Sequence, residues 1–171
     1  SNYGINLNYN RVLESLGGEF TTDLDIARYA NDSHQNFTTR YYDLSRTEFA
    51  RPYLLHGDLN SSLDIYAIKN DLTKSLARGF RLQAGHKHSY VVADSKVFFY
   101  DRSTGVDVYD STKSNHFIYR ENINAGYVSI AKDAGRWSLQ AGLRFEHTAV
   151  KGEQVSYDST FTRNYAQWFP N

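Results

Sequence analysis

The stretch WSLQAGLRFEHT, residues 137–148, contains two interleaved sets of side chains. The odd positions are apolar as far as residue 145: Trp137, Leu139, Ala141, Leu143 and Phe145. The even positions are small or polar: Ser138, Gln140, Gly142, Arg144, Glu146 and Thr148. Because successive side chains of a strand point to opposite faces, this alternation predicts a β-strand with one apolar face and one polar face. The class of protein depends on whether the apolar face meets a protein core or lipid.

The composition of the 171 residues limits the possible classes. Mean hydropathy is −0.61, and the sequence has no apolar run of the ~18 residues that a transmembrane helix needs. Membrane β-strands remain open, because only alternate side chains meet lipid. The formal net charge is zero, with 19 basic and 19 acidic residues, which argues against a nucleic-acid partner. Cysteine is absent, which excludes disulfides and thiolate metal sites.

Alternating segments recur along the chain and predict an all-β, antiparallel up-and-down meander of about seven strands. The predicted strands are residues 3–12, 20–30, 60–74, 80–100, 116–132, 136–157 and 161–169. Short turns alternate with longer loops, of which the longest is predicted over residues 31–59. Short turns at one end of a sheet and long loops at the other are typical of outer-membrane barrels. We therefore expect a fragment of a large transmembrane β-barrel.

The predicted sixth strand has the dimensions of a membrane strand. Trp137 and Phe145 are eight residues apart, or about 27 Å along an antiparallel strand. With a tilt of roughly 40°, this length is close to the ~25 Å apolar band of membrane barrels. The residues predicted to face lipid are Trp137, Leu139, Ala141, Leu143, Phe145, Phe80 and Leu82. His86 and His88 follow on the same face as Leu82, so either a bulge turns them inward or the apolar band ends there.

Four stretches together resemble a known family: RPYLLHGDLNSSLDIYAIKNDLT (51–73), SNHFIYRENINAGYVSIAK (114–132), WSLQAGLRFEHTAVKGEQ (137–154) and FTRNYAQWFPN (161–171). They are similar to the barrel of the TonB-dependent outer-membrane receptors of Bacteroidetes, and more narrowly to the outer membrane β-barrel family proteins. The resemblance covers about residues 20–171. It departs from the family pattern at His86 and His88, where an apolar residue and a small residue are expected.

The resemblance implies a fold and a function for a longer protein. Such receptors close a barrel of some 22 strands around an N-terminal plug, and they import large nutrients with energy delivered through TonB. Residues 1–171 are accordingly expected to be one part of an outer-membrane barrel domain, in a longer, processed protein. The plug domain and the remaining strands are expected to lie outside these residues. The implied partners are outer-membrane lipid, TonB and the plug domain, with a surface lipoprotein as a further candidate. An isolated fragment is expected to self-associate through its open sheet edges.

The predicted loop 31–59 is the best candidate for ligand contacts, because its aromatic rings can stack and its arginines can donate forked hydrogen bonds. The candidate residues are Arg40, Tyr41, Tyr42, Arg46, Arg51 and Tyr53. The alternative is that these side chains pack the loop against its neighbours. We expect no catalytic residue, since no nucleophile motif is present. We also expect no metal site and no cofactor, because the histidine spacings match no closed zinc site.

Two other classes remain open at this stage. A soluble antiparallel β domain that binds carbohydrate or protein would bury its apolar faces against each other. An outer-membrane enzyme or adhesin would keep the barrel fold. The imported substrate, whether glycan, peptide or siderophore-like chelate, follows from the resemblance alone.

Overall fold

The computed structural model describes residues 1–14 and 17–171, which form almost entirely β-structure. The strands are β1 (Asn2–Leu13), β2 (Gly18–Tyr42), β3 (Glu48–Ser75), β4 (Phe80–Asp101), β5 (Val108–Tyr109), β6 (Asn115–Ala134), β7 (Trp137–Gln154) and β8 (Ser159–Pro170). Single 3-10 turns lie at Ala77–Gly79 and Val155–Tyr157. None of the helical segments in the described ranges is long and apolar enough to cross a membrane.

The strands form one antiparallel sheet in the order β1-β2-β3-β4-β6-β7-β8, with the two-residue strand β5 paired to β4. This confirms the predicted meander, and β5 is the strand that the sequence analysis did not foresee. The sheet is not closed, because β1 pairs only with β2 and β8 pairs only with β7 among the described strands. Each of these edge strands presents unpaired backbone groups along its outer side.

Toward the short-turn end, the register brings the alternating apolar side chains of neighbouring strands onto one face, here called the apolar face. Phe80 and Leu82 pair with Lys132 and Ile130, which in turn pair with Leu139 and Ala141. All seven residues predicted to face lipid therefore share this face. It continues across the other strands through Leu7, Leu24, Ile26, Ile68, Leu72 and Val128.

Hardly any of this apolar surface is buried within the chain. Among the described residues Ala125 is the one buried hydrophobic side chain, and Trp137 and Leu139 are 75% and 65% exposed. The sheet is a single layer, because the strand contacts of the described residues run between neighbours of the meander. A soluble β domain would need a second layer against this face, so the structure disfavours that alternative.

The apolar band crosses the sheet diagonally. On β3 it ends at Tyr66, which lies in register with Tyr90, Asn122 and finally Ala149 on β7. On β7 the band ends at Phe145, four residues nearer the short turns. The limit of the band therefore moves four residues along the strands, about 14 Å, over three strand-to-strand spacings, which are also about 14 Å. It crosses the sheet at roughly 45° to the strands. Strands of membrane barrels are tilted by about 35–45°. With that tilt the limit of the apolar band would run parallel to the membrane plane.

This slope accounts for His88 and leaves His86 inside the band. The β3–β4 and β4–β6 pairings run through both positions without a register shift, so the bulge considered above is wrong and both residues stay on the apolar face. The upper limit of the band crosses β4 near His88. That side chain hydrogen-bonds Asn124 Oδ1 at 2.8 Å, which satisfies one ring nitrogen at the boundary.

The prediction of a long loop over residues 31–59 is wrong. β2 continues to Tyr42, β3 begins at Glu48, and only residues 43–47 form the connecting turn. Beyond the apolar band the β2 half of this hairpin is mainly polar and the β3 half does not alternate, as at Leu54 and Leu55, so the period-two pattern fades while the backbone ladder continues. The predicted asymmetry between the two ends of the sheet is present as a difference in strand length. Residues 76–79 and 135–136 form short connections at one end, and the hairpin projects from the other.

Candidate functional site: the hairpin extension and the polar face

The part of the β2–β3 hairpin that projects beyond the apolar band, residues 31–59, is here called the hairpin extension. Its tip is ordered by Asp43, whose carboxylate accepts hydrogen bonds from Ser45 N at 2.9 Å, Ser45 Oγ at 2.7 Å and Thr47 N at 2.8 Å. The hydrogen bond from the Ser45 hydroxyl is the main reason why the pKa of Asp43 is lowered. Arg46 takes up the left-handed conformation, with φ 63°, that closes the turn.

The six predicted ligand-binding residues lie close to this tip but do not converge on one point. Arg40 Nη1 lies 3.4 Å from Glu48 Oε2, and the Tyr41 ring packs on Phe49 with 6.3 Å between centroids. The exposed side chains are those of Arg40, Tyr41, Tyr42, Arg46 and Arg51. Tyr53 is half-buried instead. Some of these residues therefore pack as the alternative reading expected, and their role in binding remains a prediction.

The connection between β4 and β6 packs beside the hairpin extension. Lys113 Nζ lies 5.5 Å from the centre of the Tyr53 ring and donates to Tyr53 Oη at 3.3 Å. Lys113 also pairs with Asp110. The hydrogen bond from Lys113 is the main reason why the pKa of Asp110 falls to about 2. The buried Ser114 donates to the Asp110 carbonyl at 2.7 Å and accepts from Phe99 N at 2.8 Å, which anchors the loop to β4.

The face opposite the apolar face, here called the polar face, is lined with hydrogen-bonded side chains. Asp71 accepts from Tyr127 and pairs with Lys69 at 2.5 Å, and Arg144 pairs with Glu146 at 2.8 Å. An open groove of about 420 Å³ runs over part of this surface. Its lining includes Lys69, Gln83, Tyr127, Ser129 and Arg144. Paired charges and amides of this kind suit contact with water, with a polar solute or with a folded polar domain.

Gly85 is needed for part of this polar network. A Cβ atom at Gly85 would lie 2.3 Å from Tyr127 Cε1 and 2.5 Å from Asp71 Oδ1. The absence of a side chain on β4 therefore lets the Tyr127 ring cross the strand and reach Asp71 on β3. The network is built from three neighbouring strands and depends on this close approach.

A further group of side chains on the hairpin extension was missed by sequence reasoning. His34, His56 and Asp58 each offer one ligand atom, and these atoms lie within 4.8 Å of one another. The register pairs His34 with Asp58, while His56 and Asp58 are two apart on β3 and share its face. The available signal was the His56-Gly57-Asp58 spacing on a strand, which the prediction of a loop concealed.

The sequence of the chain matches the outer membrane protein beta-barrel family over residues 11–171. The chain belongs to this family. A barrel of this family lies in the bacterial outer membrane, which confirms the predicted location. No curated protein sequence is significantly similar to the chain.

Among solved structures, the fold of this outer-membrane barrel chain is similar to the crystal structure of the ferric citrate transporter FecA in its unliganded form. The TM-score is 0.69 at 14% sequence identity, and the similarity covers 99% of this chain. The chain spans 24% of the length of that transporter chain. The similarity shows that the eight-stranded sheet has the fold of a section of that chain.

Proposed function

We propose that this chain forms part of the barrel wall of a TonB-dependent outer-membrane transporter that imports a large nutrient. The observation that carries the proposal is the similarity to the FecA fold over 99% of the chain, in a sheet with one apolar face and one polar face. Seven of its eight strands follow one another in the meander, which is about a third of the wall of a 22-stranded transporter.

The chemical difference between the two faces of the sheet supports this assignment. In a closed barrel the apolar face contacts lipid, and the polar face points toward the lumen, where such transporters hold a plug. The paired charges of the polar face suit contact with that plug. The hairpin extension projects toward the cell exterior, where a ligand arrives, and it carries the arginine and tyrosine side chains predicted for binding.

The finer features of the proposal rest on the sequence resemblance. They are a Bacteroidetes-type receptor, energy coupling through TonB, a plug domain and a surface lipoprotein as further partner, and a glycan, peptide or siderophore-like chelate as substrate. We assign this barrel section no catalytic residue and propose recognition and passage of the nutrient as its role.

A two-part experiment on the intact outer-membrane protein tests the proposal. The purified periplasmic domain of TonB should capture the protein from detergent extracts, and cells that produce the protein should accumulate a labelled glycan, peptide or ferric chelate. Accumulation should require TonB and should stop when the inner-membrane proton gradient is dissipated. Accumulation that is unchanged in a strain without TonB, or failure of the TonB domain to bind, would contradict the proposal.

Variants at the tip of the hairpin extension separate recognition from assembly. Replacement of Tyr42 or Arg51 by alanine should lower accumulation while the protein still migrates as a folded, heat-modifiable barrel. Replacement of the exposed Arg11, at the opposite end of the sheet, provides the matched control and should leave accumulation unchanged.

A further inference from the structure

The group formed by His34, His56 and Asp58 lies on the outward face of the hairpin extension. His34 is eight residues beyond Ile26 of the apolar band, which is about 27 Å along the strand. Asp58 Oδ1 lies 2.6 Å from His34 Nδ1 and 3.0 Å from His56 Nε2. Two imidazole nitrogens from neighbouring strands therefore converge on a single carboxylate oxygen.

Hydrogen bonding fixes which nitrogen of His56 carries the proton. Asn36 Oδ1 accepts from the Arg102 guanidinium at 3.4 Å and also lies 2.9 Å from His56 Nδ1. Because guanidinium only donates, this oxygen is an acceptor and His56 Nδ1 must donate to it. In neutral His56 the lone pair of Nε2 then points at Asp58 Oδ1. Two lone pairs at 3.0 Å repel each other, so a proton or a metal ion belongs between them.

The arrangement has the ligand set of an open transition-metal site. Two imidazoles and one carboxylate with a free fourth position are a common zinc set, with metal–ligand distances of about 2.0–2.2 Å. Tetrahedral ligands at those distances are roughly 3.3 Å apart, so each histidine nitrogen needs to move less than about 1 Å away from Asp58 Oδ1. The hydrogen bond from His56 Nδ1 to Asn36 is the supporting contact that orients a metal-bound histidine.

Accessibility and charge also suit a cation. The His34 side chain is 69% exposed, while those of His56 and Asp58 are 15% and 28% exposed, so the site is held by the sheet yet open to solvent. The Asp58 carboxylate supplies a negative charge, and the neighbouring charges of Arg102 and Asp107 pair with each other.

We propose that His34, His56 and Asp58 bind one divalent transition-metal ion of the zinc type on the extracellular part of the barrel. This proposal differs from the expectation, made from the sequence, that the chain has no metal site. It does not depend on whether the protein is a TonB-dependent transporter. Nitrogen and carboxylate ligands favour Zn²⁺ or Cu²⁺ over Ca²⁺ or Mg²⁺, which take oxygen ligands.

Zinc titration of the metal-free intact protein in detergent tests the proposal. Competition with a chromophoric chelator should show one zinc site, and Asp58→Asn and His56→Ala should each weaken it by more than the roughly 10- to 100-fold that loss of a supporting contact costs. Asn36→Ala keeps all three ligands and should weaken binding by about 10-fold. Co²⁺ should give the visible absorption of a tetrahedral complex in the unaltered protein and lose it in Asp58→Asn.

His116→Ala is the matched control. His116 Nε2 makes a similar contact with Asp94 Oδ1 at 2.8 Å, but in the described ranges this pair has no third ligand. The substitution should leave zinc affinity unchanged. The proposal is overturned if the unaltered protein binds no zinc, if His116→Ala weakens binding as much as His56→Ala, or if Asp58→Asn leaves affinity and the Co²⁺ spectrum intact. These measurements use purified protein without TonB, so their outcome is independent of the transport experiment.

Discussion

The position of Ala141 on the apolar face predicts how strongly a charge there would destabilise the protein. Ala141 lies on β7 midway between Trp137 and Phe145, four residues from each, which is about 14 Å along the strand. With a tilt of roughly 40°, Ala141 lies about 10 Å from either limit of the band, near the middle of the bilayer. Arginine at such a depth on the lipid face of a barrel costs about 2–4 kcal/mol. Ala141→Arg should therefore lower the free energy of unfolding by that amount.

Two substitutions on the same strand control for the general effects of arginine. Ala149→Arg is the same chemical change on the same face, four residues beyond Phe145, where the cost should fall to about 0–1 kcal/mol. Gln140→Arg lies beside Ala141 but on the polar face, and surface changes of this kind alter stability by only about 0.5 kcal/mol.

Urea titration of the intact protein in phospholipid vesicles, followed by tryptophan fluorescence, measures all three variants against the unaltered protein. Equal losses for Ala141→Arg and Ala149→Arg would show that depth plays no role. A larger loss for Gln140→Arg than for Ala141→Arg would show that the assignment of the two faces is reversed. Either result would refute the conclusion that the apolar face meets lipid.

Three further predictions follow from particular contacts. Gly85→Ala places a methyl group 2.3 Å from the Tyr127 ring and should lower the free energy of unfolding by about 1–3 kcal/mol. Gly126→Ala is the control, because the nearest atom to its added methyl group is 4.0 Å away, and it should be nearly neutral in the same urea titration. The pKa of Asp110 is lowered from 3.8 to about 2. The loop that Asp110 holds should therefore stay protected from hydrogen exchange above pH 3.8 and lose protection as the pH falls toward 2. Asp110→Asn should remove this pH dependence. The open edges at β1 and β8 should make the isolated chain multimeric in size exclusion with light scattering, with multimers that detergent reduces; a monomer in plain buffer would contradict this.

The sequence predicts the strands well wherever one face is apolar and the other polar. β7 was predicted from alternate apolar residues, and Phe80 and Leu82 on β4 were correctly placed on the same face as Trp137. The hairpin extension was missed because β2 is mainly polar beyond the band and the apolar residues of β3 do not alternate there, as at Leu54 and Leu55. There, backbone hydrogen bonds to neighbouring strands maintain the ladder, and these leave no periodic signal in the side chains.

The candidate metal site was missed for a related reason. His34 and Asp58 are 24 residues apart in the chain, and only the β2–β3 register brings them opposite each other. Without that register, each histidine has the character of an isolated polar residue. The positions of His86 and His88 show the same dependence, because the slope of the band across neighbouring strands decides whether they lie inside it or at its limit.

The amino-acid sequence alone determined the all-β meander, its division into an apolar and a polar face, and the length of the membrane-spanning segment on β7. These features are set by period-two alternation and turn chemistry, which act over a few neighbouring residues. Tertiary structure decided the extent of the hairpin extension, the diagonal course of the apolar band and the meeting of His34 with His56 and Asp58. Those features depend on strand register, a property of pairs of strands that only the hydrogen-bonded sheet fixes.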